Sequence, residues 1–134
     1  MAGIVPNAGE ELALKNFLNH TAPQDQVLKL FVNDKTPAEG DTAGSYTEMS
    51  TQGYASKSLA GGSWSITPGA PSSAAYAQQT WTFDGTGGAT NVYGYFVVQA
   101  VSGILMFAER FTGAPFAVAN NGDQIKVTPT VTGE

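Results

Sequence analysis

The chain contains no cysteine. That single absence excludes a disulfide framework, a thiolate metal site and a cysteine nucleophile together. It also argues against a small secreted domain held closed by disulfides. Charge is scarce as well. Asp, Glu, Lys and Arg make up 13% of the residues, where globular proteins usually carry about 25%. The one histidine, His20, rules out a multi-histidine metal site, and no metal or cofactor is expected. The strong cations, Lys15, Lys29, Lys35, Lys57, Arg110 and Lys126, are scattered along a chain of net charge −5. Nucleic-acid binding depends on clustered Lys and Arg, so no direct nucleic-acid contact is expected. Long apolar runs are missing too. The longest, residues 104–108, is far short of the roughly 20 residues that cross a bilayer. Residues 1–19 lack the basic and apolar regions of a secretory signal. Neither a membrane contact nor a signal peptide is expected.

What is present fits one domain. A chain of 134 residues buries about two-thirds of its unfolded surface, enough to fold without a metal or a disulfide. Glycine is abundant at 16 copies, with much Thr, Ser and Ala. So little charge leaves two explanations: a surface of uncharged polar residues, as on many β-sandwiches, or a surface largely buried against partners.

One segment reads as helix. Asn7 and Glu10 have capping-box spacing, and Glu10 and Glu11 suit the positive end of the helix dipole. Leu14, Phe17 and Leu18 then follow at helical spacing, and the helix should end near residues 19–20. So short a helix is marginal alone and must lie on its own sandwich or on a neighbour.

From Gln26 the period becomes two, with Leu28, Leu30 and Val32 on one side. Residues 36–41 form a turn-rich loop, and residues 43–63 read as irregular structure or short edge strands. Further strands are expected at residues 64–66, 76–83, 92–100 and 104–111, and across residues 124–131. The strand at 104–111 is apolar on both faces and reads as central. Residues 69–73 read as a flexible loop and residues 84–88 as a hairpin turn. Pro129 marks an edge or a strand end. Short strands between Gly, Pro and Asn turns indicate a sandwich or barrel. The expected fold class is all-β: a jelly-roll-like β-sandwich with an N-terminal arm and one short helix, residues 1–25 forming arm and helix and residues 26–134 the sandwich.

Chemistry is hard to find. His20 has no Ser-His-Asp spacing around it and reads as a helix-terminal histidine. Asp34, Glu39 and Asp41 share a loop but lack the ligand pattern of a calcium site, so a solvated turn is the expectation. The glycines at 85, 87 and 88 are not followed by Lys-Ser/Thr or a helix, which excludes a phosphate cradle. Glu109 and Arg110 are adjacent in a strand, so they point to opposite faces. Arg110 is then either an interface residue or half of a structural ion pair. No catalytic residue is expected. Tyr76, Tyr93, Tyr95, Trp64 and Trp81 suit either protein or sugar contacts or cross-strand packing.

The runs LKLFVNDKTPAEGDTAGSYTEM, GYASKSL with a following Trp, QQTWTFDG, NVYGYFVVQ, GILMFAERF and GDQIKVTPTVT extend from Leu28 to Thr132. Together they resemble small proteins encoded among the virion structural genes of tailed phages. In size the chain resembles their capsid cement or decoration proteins, several of which are jelly-roll-like and bind where capsomers meet. The resemblance implies a non-enzymatic protein, made in the host cytoplasm and located on the capsid surface. Its implied partner is the major capsid protein; separately, because symmetric association is common, self-association as a dimer or trimer is expected. The alternatives are another virion component (tail, head-completion or fibre-associated) or a carbohydrate-binding sandwich. Under the cement reading the contact residues are expected in a flexible arm (Ala2, Ile4, Val5), in the helix (Leu14, Phe17), in the loop (Pro37, Glu39, Asp41, Tyr46) and at Arg110. Truncation before Glu10 is expected to weaken capsid binding and leave the sandwich folded.

Overall fold

The computed structural model describes residues 3–18 and 20–133. One helix, α1 (Asn7–Phe17), precedes eleven short strands. In chain order these are β1 (Gln26–Phe31), β2 (Lys57–Leu59), β3 (Ser65–Thr67), β4 (Ser72–Ala75), β5 (Gln79–Asp84) and β6 (Thr90–Val92). They continue as β7 (Gly94–Gln99), β8 (Leu105–Arg110), β9 (Phe116–Val118), β10 (Asn121–Val127) and β11 (Thr130–Gly133). The fold is an all-β sandwich with one short helix.

A four-stranded antiparallel sheet in the order β2-β1-β7-β8 is the main layer. The opposing layer is divided among β10-β5, β11-β4-β3 and β6-β9. Leu28, Leu30, Val97 and Phe107 of the main sheet pack onto Trp81 and Phe83 of β5 and Ile125 and Val127 of β10. The other face of the main sheet is not left in water. Phe31, Phe96, Val98, Leu105 and Ala108 form a second core there, closed by Tyr46. Antiparallel sheets usually expose one face. Here all six residues of β7 are buried, Tyr95 among them.

The central strands are therefore β1 and β7, and β8 lies at the margin of its sheet. Its run of apolar residues reflects cover on both faces by the two cores. Gly94 begins β7 because nothing larger fits: a Cβ there would lie 2.6 Å from the Phe31 ring and would strike the Glu109 carbonyl.

Three expected elements divide differently. Residues 69–73 are not simply a loop, since β4 pairs with both β3 and β11. The expected strand 92–100 breaks at Tyr93 into β6 and β7, and the last strand breaks before Thr130 into β10 and β11, with Pro129 between them. The turn at residues 84–88 joins strands of different sheets, so it is not a hairpin. Its glycines take positive φ (Gly85 78°, Gly87 82°, Gly88 86°), which glycine alone adopts without strain. The buried Gln52 ties this turn down. Its N–H donates to Thr86 O (2.8 Å), its carbonyl accepts from Asp84 N–H (3.1 Å), and its side-chain amide donates to Gly88 O.

Candidate interaction face

Chain entry fixes the geometry of the candidate face. The Gly3 N–H donates to Thr130 O at 2.9 Å, Ile4 exchanges backbone hydrogen bonds with Ala108 at 2.8 and 3.0 Å, and the Asn7 N–H donates to Glu39 O at 3.0 Å. A Cβ on Gly3 would lie 2.7 Å from the Phe107 ring. From Gly3 onward the expected flexible arm is thus a pinned strap along the outer edge of β8, where an open ladder would otherwise invite pairing with other chains. Ala2 lies outside the described residues. Truncation before Glu10 would strip this edge, so it cannot separate binding from folding.

Helix α1 starts differently from the capping expectation. Pro6 is its N-cap, there is no side-chain cap, and Asn7 is already helical. The Pro6 carbonyl accepts from the N–H groups of Gly9 (2.8 Å) and Glu10 (3.0 Å). Gly9 seats the helix on β8, because any Cβ at that position would run into the Met106 carbonyl. Gly9 and Leu12 are the buried residues of the helix. That rotation turns the expected apolar stripe outward: Leu14 is 63% exposed, Phe17 86% and Leu18 70%.

Between α1 and the β11-β4-β3 sheet runs an open groove of about 880 Å³. Its floor is made of small residues, among them Gly3, Ser72, Ala74 and Gly133, and its rim carries Ile4, Leu14, Phe17 and Ile66. Ile66, Ala74 and Val131 form one cross-strand row, so they present a single apolar strip to the helix. A smaller hollow of about 370 Å³ shares Val5, Ala13 and that strip, and continues to Trp64 and Phe107. Glu10 and Glu39 also line the groove.

The loop residues expected to bind a partner divide sharply. Glu39 is exposed at the groove, but Pro37, Asp41 and Tyr46 are buried and present no side chain to a partner. Asp41 Oδ2 accepts from the Tyr46 hydroxyl (2.7 Å) and the Ala38 N–H (2.9 Å), and Oδ1 pairs with Lys35 at 2.8 Å. Burial alone raises the Asp41 pKa. Hydrogen bonds from Lys35, Tyr46 and Ala38 outweigh that and hold the carboxyl below its ordinary value. The Tyr46 ring lies 4.9 Å from Phe31 and stacks on Phe96 at 5.2 Å.

Arg110 is a structural ion-pair residue. It donates to Asp34 at 2.7 Å and to Lys35 O at 3.1 Å, with its guanidinium 5.1 Å from the Tyr93 ring centre. Glu109 does point the other way, accepting from the Tyr95 hydroxyl at 3.3 Å. Burial pushes its carboxyl above the ordinary range.

Asp34, Glu39 and Asp41 therefore diverge, one to Arg110, one to the groove and one into the loop interior. Among the described residues no three His, Cys, Asp or Glu side chains converge on one point. His20 is exposed beyond the helix, its backbone N–H donating to Lys15 O at 2.8 Å. Sequence reasoning missed Ile66 and Ala74. The three-residue strand around Ile66 was visible, but its position opposite the helix depends on a β3-β4-β11 pairing that no local pattern encodes.

The fold and the site define an all-β sandwich with an open, apolar, carboxylate-bearing groove between its helix and a three-stranded sheet. No protein-family model matches this chain, and no curated protein or solved structure is significantly similar to it.

Proposed function

We propose that the chain is a non-catalytic virion structural protein that acts as capsid cement, seating its helix-and-groove face on the major capsid protein. The observation that carries the reading is the gathering of four exposed apolar side chains, from the entering chain, the helix and β3, around one groove, whereas Val101, Ile104 and Phe116 are exposed singly elsewhere. Ile4 is 40% exposed, Leu14 63%, Phe17 86% and Ile66 67%, all at the rim of one groove. Scattered exposed apolar residues need no explanation, but a contiguous patch marks an interaction site. The phage resemblance of the runs between Leu28 and Thr132 supplies the partner class. Repetition over a symmetric shell multiplies a modest contact of this kind.

The test uses particles of the virus whose genome carries this chain. Densitometry against the major capsid protein should give a copy number that scales with the shell, and particles lacking the chain should lose their DNA sooner at low salt or on heating. Phe17→Ser combined with Ile66→Thr should abolish decoration while leaving the protein folded. A few copies located at the tail, or normal decoration by the double variant, would refute the cement assignment.

A further inference from the structure

The groove carries more than apolar surface. Glu11, Asp34, Asp41 and Glu48 are all in ion pairs. Asp25, Asp84, Glu109 and Asp123 each accept a hydrogen bond from within the chain. Among the described residues two carboxylates remain without any such partner, Glu10 and Glu39. They come from different elements, and both line the groove. Four of the six cations, Lys15, Lys29, Lys35 and Arg110, are occupied in the ion pairs, and none lines the groove.

We infer that the groove receives a basic amphipathic protein segment, whose large apolar side chains fill the small-residue floor and whose Lys or Arg residues pair with Glu10 and Glu39. This deepens the capsid reading, and rests on it, by assigning the chemistry of the partner segment. A second copy of this chain is a poor occupant. A two-fold contact through the face would meet its own lining, which offers Glu10 and Glu39 no Lys or Arg. A partner with cations gives the two carboxylates an attraction that steers encounter and fixes register.

The probes are two synthetic amphipathic peptides with identical Leu and Phe positions, one carrying Lys on its polar face and the other Glu. Binding is followed by anisotropy of the labelled peptide at low and high salt. The Lys peptide is expected to bind on the order of tenfold more tightly than its twin at low salt, as two rim ion pairs allow, with the preference fading as salt rises. In the Glu10→Gln/Glu39→Gln protein the preference should fall to about twofold or less. Phe17→Ser, and separately Ile66→Thr, should weaken both peptides. All four positions are exposed, so these variants should fold. Equal binding of the two peptides, a preference unchanged in the double Gln variant, or a protein dimer that Phe17→Ser dissolves would each overturn the inference. The two readings can fail separately. A chain absent from capsids that still selects the Lys peptide loses the cement role and keeps the groove chemistry. A chain that decorates shells equally well as Glu10→Gln/Glu39→Gln loses only the groove chemistry.

Discussion

Two segments flank the main sheet, and they treat their polar and apolar groups in opposite ways. Residues 33–48 fold back over one face and leave little unpartnered. Asn33 holds Ser45 O at 3.0 Å and the Thr47 N–H at 2.8 Å, Asp41 is bonded through both oxygens, and Tyr46 closes the second core. Residues 3–17 run along the β8 edge and are fixed by their backbone, through Gly3, Ile4, Asn7 and the flat seat at Gly9. Leu12 is buried and Val5 packs against the core, but Ile4, Leu14 and Phe17 point away. The segment anchored by side chains has used most of its surface and leaves only Glu39 of its carboxylates to the groove. One anchored by its main chain keeps its side chains available for another molecule.

The contrast can be broken most severely at Tyr46. Tyr46→Ala removes a ring packed against Phe31 and Phe96 and should cost about 3–5 kcal/mol in urea unfolding, the usual range for a large buried aromatic. A loss comparable to that of an exposed residue would mean that residues 33–48 do not close a core.

Gly9→Ala probes the other anchor. Its methyl meets the Met106 carbonyl, so the helix must lift, at a cost of about 1–3 kcal/mol, and amide exchange along β8 should quicken. Unchanged exchange would show that the helix does not protect that edge.

Asp41→Asn should cost about 1–3 kcal/mol at neutral pH, because a hydrogen-bonded ion pair is replaced by a poorer partner. The pH dependence follows from the lowered carboxyl pKa. A group with a depressed folded-state pKa contributes fully above its unfolded value, about 3.9 for Asp, and loses that contribution as pH falls through the folded value. The gap between wild type and variant should therefore be widest near pH 7 and narrow below about pH 4. A gap independent of pH would remove Asp41 from this role.

The smallest effect is expected where exposure is greatest. Phe17→Ser should change stability by no more than about 0.5 kcal/mol while weakening the attachment to shells proposed for this face. A large loss of stability would place Phe17 in the fold of this chain and remove it from the interaction face.

Much of the architecture was legible locally. Leu28 and Leu30 alternate with Lys29, Ile125 and Val127 with Lys126, and the strands they mark are β1 and β10. The helix was legible from its acidic start. Its orientation was not, because Leu14, Phe17 and Leu18 form a better apolar stripe than Gly9 and Leu12, and only the contact with Met106 makes a glycine the inward residue. In the sequence Arg110 suits an interface or an ion pair equally, because its partners, Asp34 and Lys35, lie far away in the chain. Asp41 and Tyr46 read as exposed loop residues because polar side chains in a turn-rich segment usually meet water, and only the fold-back onto Phe96 buries them.

The sequence by itself determined the class of fold and excluded thiol and multi-histidine sites, since side-chain period, turn glycines, the absence of Cys and the single His are local properties. The tertiary structure decided which apolar groups are left over and that Glu10 and Glu39, unpaired among the described residues, line one groove. Those are outcomes of non-local strand pairing, in which β3, β4 and β11 assemble a groove floor from residues 65–75 and 130–133 opposite a helix from the start of the chain. No short stretch of sequence contains that juxtaposition.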